Sequence, residues 1–489
     1  MAGSGIETFG LPVLLAGLTG MAAVMSNRLS EKLSVPAPAF FLVCAAIASD
    51  VARHLGHTPV RTVEDVVIVA LVVILFDGGM QIGLTSFRTA CGGTLWIGVA
   101  GTLVTAVAVA VLAHEIAGFG WRLSLLVGTA LSPTDPAVVF SVLGRREITG
   151  RSGVLLQGES GANDPVGIAL LIGLLGATGS PWSVAGDVAT GFVVKMTVGV
   201  AVGIAGGLLL LQVMRRVPLP SEGLYSLRVL AWIFAVYGLA TICHGSGFLA
   251  VFVAGILLGD EQAPYKREIR RFHGSLASLA EIVAFIMLGL TVSLREVGSS
   301  TAWSSGLIIA VLLVLVVRPV LVGLLTLPVR LPIGERLFLL WTGLKGAVPI
   351  LLGMFIVSSG IAGGERAYDV IFVVVAFSVV VQGGLVPFVA RVLKVPMSTV
   401  EPEPWSLGVR FSSEPDGLHN FRVGSGSAAA GTRIGALARG RVAWVSAIVR
   451  DGHLVTADRD TVLVAGDEVA VLAEPDSASE LATLFGDPG

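Results

Sequence analysis

The stretch LLQGESGANDPVGIALLIGLLG, residues 155–176, sets Glu159, Ser160, Asn163 and Asp164 in a segment otherwise apolar enough to lie inside a bilayer. An ionised side chain at mid-membrane costs roughly 2.5 to 3.5 kcal/mol on insertion scales, and such groups face a cavity or a partner. On a helix Glu159 and Asn163 stand four residues apart, as do Ser160 and Asp164, so the four share one broad stripe. Pro165 removes an amide donor, while Gly158, Gly161 and Gly167 permit close approach by neighbouring backbones. The segment reads as a membrane helix with one polar face open to water and an ion.

The remainder of the 489 residues agrees with that setting. Hydrophobic residues make up 54% of the chain and charged ones 13%, and the mean hydropathy is +0.86, far from the balance of a soluble domain. Apolar runs long enough to cross a bilayer recur at residues 10–27, 35–50, 63–82, 93–113, 121–143, 153–178, 188–214, 226–243, 246–259, 276–294, 303–327, 337–359 and 368–392. They predict a polytopic α-helical membrane protein with about 13 transmembrane helices. No Lys or Arg precedes Arg28, so the basic start of a secretory signal is missing and the first run reads as a retained helix that begins outside. Basic residues crowd the alternate loops, among them Arg145, Arg146, Arg215, Arg216, Lys266, Arg267, Arg391 and Lys394. The opposite loops carry Arg53, Arg61, Arg122, Arg295 and Arg366, which places the amino end outside and the carboxy end in the cytoplasm. The net charge of -2 gives no sign of nucleic-acid binding. Cys44, Cys91 and Cys243 lack metal or disulfide spacing and read as small apolar filler.

Two further runs carry breaks at membrane depth. In ALSPTDPAVVF, residues 130–140, two prolines bracket Thr134 and Asp135, and the helix is expected to unwind there. In LLWTGLKGAVPILLG, residues 339–353, Gly343, Gly346 and Pro349 interrupt the run, with Lys345 in the gap. Irregular backbone at that depth is tolerated only beside a cavity or within protein, where freed carbonyls can hold a cation. The breaks lie seven spans apart, which fits an inverted repeat of spans one to six with eight to thirteen, and two broken crossing helices. Lys345 is expected to offset half-helix dipoles and to pair with Glu159. Glu281 and Arg318 read as a structural ion pair, Asp77 as a cap or interface residue, and Lys195 as a snorkelling or paired cation.

After residue 397 the pattern changes. Pro402 and Pro404 stand in an acidic linker, residues 398–410, and residues 411–489 form a small αβ domain. Within it, β-branched alternation with turn signals at Asp451-Gly452 and Gly466-Asp467 predicts at least three strands. A short helix then runs from a cap at Asp476 or Ser477 to Gly486. The transmembrane domain spans residues 1–397.

GESGANDP, SPTDPAVV, LFDGGMQIG and GLKGAVPI together resemble the cation/proton antiporter-1 family of bacterial sodium/proton and potassium/proton exchangers, over nearly all of residues 10–394. The tail, through Phe421, Val423, IVRDG and TVLVAGDEVAVLA, is similar to the TrkA-C module, and the pairing resembles the potassium/proton, cell-volume-regulation branch. The resemblance implies that Asp164 alternately holds a proton and the cation. It also implies that Ser160 and Thr134 complete a monovalent-cation site with Asp164, and that Asp135 and Asn163 stabilise the crossing. Glu159 would pair with a basic residue of the twelfth span. There the family pattern has Arg, as GLRGA, whereas this chain has Lys345, which keeps the charge but loses the planar fork. Further implications are a homodimer in the bacterial inner membrane, no cofactor beyond transported K+ or Na+ and H+, and an ion or nucleotide as ligand of a regulatory tail. With Asn163 where a second acid would stand, one-for-one electroneutral exchange is expected.

Two rivals use the same residues. GESG matches the GxSG signature of rhomboid-like intramembrane proteases, with Ser160 as nucleophile and His244 as base, but leaves Asn163 and Asp164 unexplained. A cation channel gated by the tail would pass current without a counter-cation, whereas an exchanger would not.

Overall fold

The computed structural model describes residues 36–51, 59–143, 146–148, 151–177, 181–260, 263–299, 301–329, 331–399, 418–437, 443–451, 453–473 and 478–486. Positions 14, 17 and 21, each helical, are described as well. The first expected span, residues 10–27, otherwise lies outside the described residues, as do linker residues 400–410. The chain divides into two compact units, Met1–Pro404 and Trp405–Gly489.

Without water to bond the backbone, an apolar run must pair its amides internally, and the runs of the first unit accordingly become helices. They are α1 (Ala37–Val51), α2 (Val60–Leu95), a π-helical turn at Trp96–Ala100 leading into α3 (Gly101–Ala117), α4 (Trp121–Ala130), α5 (Ala137–Leu143), α6 (Arg151–Gly176), α7 (Pro181–Arg216), α8 (Glu222–Ile242) and α9 (Gly247–Gly259). There follow α10 (Lys266–Leu290), α11 (Leu294–Ser299) and α12 (Ala302–Leu312), the last continued by a π-helical segment Leu313–Val322 into α13 (Gly323–Leu325). The unit closes with α14 (Ile333–Trp341), α15 (Ala347–Ser358), α16 (Gly364–Phe377), a π-helical turn Ser378–Gln382 and α17 (Val386–Val392). Among the described residues six helices are long and apolar enough to cross a bilayer, and a seventh span forms if the pair Gly364–Gln382 and Val386–Val392, bent by 51°, is taken as one.

Two boundaries differ most from the hydropathy reading. Helix α10 starts at residue 266 rather than 276, because its first turns are amphipathic: Ile269, His273 and Ala277 are buried while Arg267, Arg270 and Arg271 are exposed. Helix α2 runs on to Leu95 across Gly83, whose φ of 69° breaks the helical path. There Asp260, at the end of α9, accepts from the Thr85 amide and caps the continuation. Arg270 Nη2 donates to Gly259 O at 2.9 Å and answers the end of α9. Helix α9 nests between α2 and α7 on glycines, since a Cβ at Gly255 would strike Phe76 O and one at Gly203 would meet Ala250 O at 2.6 Å.

A two-stranded antiparallel ribbon, β1 (Arg146–Ile148) with β2 (Met397–Thr399), pairs Glu147 with Ser398. Regular structure thus reaches Thr399, two residues into the expected linker.

In the second unit β3 (Leu418–Arg422), β4 (Ala443–Arg450), β5 (His453–Val455) and β6 (Glu468–Ala473) form an antiparallel sheet in the order β3-β6-β4-β5, with α18 (Ile434–Leu437) and α19 (Ala478–Phe485). Asp451, at φ 49°, takes the left-handed corner between β4 and β5. Gly486, at φ 95°, ends α19. Phe421, Val423, Ile448, Leu463, Val469, Val471, Leu481 and Phe485 fill the core, with Phe421 stacked on Phe485. At its edge Arg450 grips Asp467 in a fork, Nε to Oδ1 and Nη2 to Oδ2, each at 2.8 Å. The Val464 amide donates to the same carboxylate.

The Arg450 hydrogen bonds hold the Asp467 carboxyl below its ordinary range, so its contribution to tail stability is present at neutral pH and is lost on acidification through that depressed range. Asp467→Asn is expected to speed limited proteolysis of the tail at pH 7. The difference from wild type should shrink as pH falls below about 4.

Candidate functional site

After α4 the chain unwinds over residues 131–136, and after α14 over residues 342–346. Pro133 and Pro136 lack amide hydrogens and push their predecessors out of helical geometry, and Gly343 and Gly346 leave the second gap free of side chains. The gaps meet. The Asp135 amide donates to Leu344 O at 2.8 Å, and Lys345 Nζ donates to Ser132 O at 3.1 Å and Pro133 O at 3.0 Å. Glycine is required twice: a Cβ at Gly346 would enter the Asp135 carboxylate, and one at Gly343 would enter the Arg318 guanidinium.

Charge at this crossing follows the polarity of the broken helices. Lys345 answers the carbonyls that follow α4. Arg318 answers the end of α14, donating from Nε to Leu340 O at 2.9 Å and from Nη2 to Leu339 O at 3.2 Å. At the opposite polarity, Asp135 Oδ1 accepts from the Ala137 amide at 2.9 Å and caps α5, and the Ala347 amide at the head of α15 faces the same carboxylate.

The polar stripe of α6 lies against this crossing. Asn163 Nδ2 donates to Thr134 Oγ1 at 2.7 Å, tying α6 to the first gap, while its Oδ1 is buried without a partner. Asp164 is 7% exposed and Ser160 6%. Among the described residues no group donates a hydrogen bond to the Asp164 carboxylate, and the charges that reach it are those of Asp135 and Lys345. Pro165 offers no amide to the Gly161 carbonyl one turn earlier. The Phe252 ring occupies the space where a Gly161 side chain would stand.

Two of the expected ion pairs are corrected. Glu159 pairs with Arg318, Nη2 to Oε1 at 2.8 Å, and not with Lys345. Lys345 is drawn away by two free carbonyls that need a donor at membrane depth. Arg318 is therefore not the partner of Glu281, whose Oε1 is buried without a hydrogen bond. Neighbouring hydropathy could not separate these alternatives, because Arg318 sits on the π-helical segment with Pro319, and the extra residue per turn redirects its side chain. His244 is exposed at the corner between α8 and α9, with φ 59°, and among the described residues nothing bonds it to Ser160.

Two supporting residues had no signal beyond being polar in an apolar run. Ser378 Oγ accepts from the Lys345 amide at 2.9 Å and donates to Gln382 Oε1 at 2.9 Å. Gln382 Nε2 donates in turn to Trp341 O at 2.5 Å. The π-helical turn of residues 378–382 puts both on one face, and a small cavity lined by Arg318, Gly343, Lys345, Ser378 and Gln382 adjoins them.

Comparison with known proteins follows the same division. The transmembrane sodium/hydrogen exchanger family profile matches residues 18–392, and the TrkA-C domain profile matches residues 418–486. The chain is 31% identical over 487 residues to the K(+)/H(+) antiporter NhaP of Alkalimonas amylolytica, covering 98% of this chain and 84% of that protein. It is 27% identical over 350 residues to the Na(+)/H(+) antiporter NhaH of Halobacillus dabanensis, covering 69% and 85%. The structure of the sodium proton antiporter MjNhaP1 from Methanocaldococcus jannaschii at pH 8 superposes with a TM-score of 0.63 at 20% identity, over 77% of this chain and 99% of that one.

Arg318→Met is expected to leave Glu159 charged, buried and unanswered, at a cost of about 3 to 5 kcal/mol. Thermal unfolding of the detergent-purified protein measures it. The double variant Glu159→Gln/Arg318→Met should recover most of the loss, and a double variant no better than the single one would remove the pair as the stabilising element.

Proposed function

The chain belongs to the sodium/hydrogen exchanger family, and from that premise we propose that it is a secondary active antiporter that exchanges a monovalent cation for protons by alternating access. The observation that carries this is Asp164: a nearly buried carboxylate beside two unwound helices, to which no described protein group donates a hydrogen bond. It is an acid left uncommitted by the fold.

Asp164, Ser160 and Thr134 form the cation site, with carbonyls of the broken segment as further oxygen ligands. A proton and a cation compete for the single carboxylate, so release of one accompanies uptake of the other. Asn163 fastens the first gap to α6, Asp135 serves the starts of α5 and α15, and Glu159 with Arg318 fixes the end of α14. Lys345 is the counter-charge of the crossing. With one carboxylate exchanging one proton for one cation, the cycle is electroneutral, and cation efflux is coupled to proton uptake.

Thirteen transmembrane helices built as two inverted repeats, with the amino end outside and the tail in the cytoplasm, give the halves that rock about the crossing. The protein works as a homodimer in the bacterial inner membrane. Potassium is the favoured cation: the relatives covering nearly the whole chain, tail included, carry K(+)/H(+) names, whereas sodium is supported by NhaH over a shorter stretch. The TrkA-C tail regulates exchange through an ion or nucleotide ligand. No step in this cycle is enzymatic.

Proteoliposomes with a fluorescent pH reporter test this with potassium, sodium, lithium and rubidium in turn. Proton flux is expected only with a counter-cation present, strongest for potassium, and absent in Asp164→Asn. Wild-type flux in that variant would overturn the assignment. Ser160→Ala and Thr134→Ala should raise the cation KM by about tenfold, the worth of one lost oxygen ligand at roughly 1.4 kcal/mol. Lys345→Arg should retain exchange and Lys345→Ala lose it. Deletion after residue 400 should leave exchange but change its response to pH or ligand.

A further inference from the structure

Helix α14 stops within the interior, where its last four carbonyls have no following turn to bond. Each has a donor. Phe338 O accepts the Thr342 amide at 2.8 Å, Leu339 O and Leu340 O accept from Arg318, and Trp341 O accepts from Gln382 Nε2 at 2.5 Å. Trp341 Nε1 donates back to Gln382 O at 3.3 Å, so these two residues hold each other by side chain and backbone alike. Further along the gap, the Lys345 amide donates to Ser378 Oγ at 2.9 Å, and the Ser378 hydroxyl donates to Gln382 Oε1 at 2.9 Å. A hydroxyl that accepts from an amide has its hydrogen left to give, and a carboxamide turned to receive it presents its nitrogen to a carbonyl. The chain thus runs in one direction, from Lys345 through Ser378 and Gln382 to Trp341. Ser378 is 2% exposed and Gln382 1%.

These bonds span the second gap, from Trp341 at its start to Lys345 inside it, and they come from a single π-helical turn, Ser378–Gln382. Such turns are frequent where side chains serve a site rather than only a core. Residues 344 and 345 are also the point from which the first gap is held: Leu344 O accepts the Asp135 amide, and Lys345 Nζ reaches Ser132 O and Pro133 O. Those two carbonyls immediately precede Thr134. The cavity lined by Arg318, Gly343, Lys345, Ser378 and Gln382 lies beside the chain, so packing leaves the gap room to shift once the chain is cut.

We propose that Ser378 and Gln382 are positioning residues of the cation site and govern which monovalent cation it accepts. They touch no cation themselves. They fix the backbone of residues 344 and 345, which fixes the carbonyls ahead of Thr134. The spacing and rigidity of oxygen ligands decide between ions of equal charge and different radius. With the chain cut, the crossing adapts to either ion and discrimination falls. This deepens the reading of exchange at Asp164 and rests on it.

The test measures KM and maximal rate for potassium and for sodium in proteoliposomes, with full-length wild type, Ser378→Ala, Gln382→Met, the double variant, and Ser378→Thr, which keeps the hydroxyl. The ratio of the two KM values is the readout. In Ser378→Ala and in Gln382→Met that ratio should move toward unity by about fivefold, the worth of one buried hydrogen bond, with a smaller change in maximal rate. Ser378→Thr should keep the wild-type ratio. The double variant should fall no further than either single one, since either substitution cuts the same chain. Ser378→Ala removes one atom, so it supplies the ratio even where Gln382→Met does not fold. An unchanged ratio in Ser378→Ala, whatever happens to maximal rate or stability, overturns the proposal while leaving exchange at Asp164 intact. So does a ratio that shifts equally in Ser378→Ala and Ser378→Thr, the signature of packing alone. A wild type without cation-coupled flux would remove both.

Discussion

Two stretches of unwound backbone meet at membrane depth, and each supplies what the other lacks. Lipid offers no hydrogen bonds, so an interrupted helix is stable there only if its freed groups find partners within the protein. The Asp135 amide bonds Leu344 O, and the Lys345 ammonium bonds the carbonyls of Ser132 and Pro133. Neither gap could persist alone. The glycines at positions 343 and 346 are part of the same solution, because the Arg318 guanidinium and the Asp135 carboxylate occupy the volumes their side chains would fill.

Around this contact the charges are distributed by helix polarity. The two carboxy-terminal ends of the half-helices have cations, Lys345 and Arg318, and the two amino-terminal ends share one acid, Asp135. Arg318 has a second duty to Glu159. Once these demands are met, Asp164 is left with no described donor of its own, though it is almost fully enclosed. An acid bound tightly by a protein cation would have little reason to exchange ligands. Its freedom is a consequence of how completely its neighbours are occupied.

The second unit is built by other rules. It uses alternating strands, tight turns and a bidentate Arg450–Asp467 pair at the edge of a small apolar core. Residues 418–486 match the TrkA-C profile.

Local composition by itself determined much of this protein. Apolar runs announced the helices, paired prolines and glycines marked both breaks, and Asp451 and Gly486 located a hairpin and a helix end. The polar stripe of α6 was legible because helical spacing is fixed by the backbone. Partnership among the charges was decided only by tertiary structure. Glu159 chose Arg318 over Lys345, and Glu281 was thereby left without its expected cation, because the Glu159–Arg318 contact joins residues 159 positions apart through a helix whose rotation a π-helical insertion alters. Hydropathy misplaced the start of α10 for a related reason: a helix with one buried face and one basic face averages to neither. Sequence records which groups a membrane interior must accommodate, and the packing of helices around the crossing assigns each its counterpart.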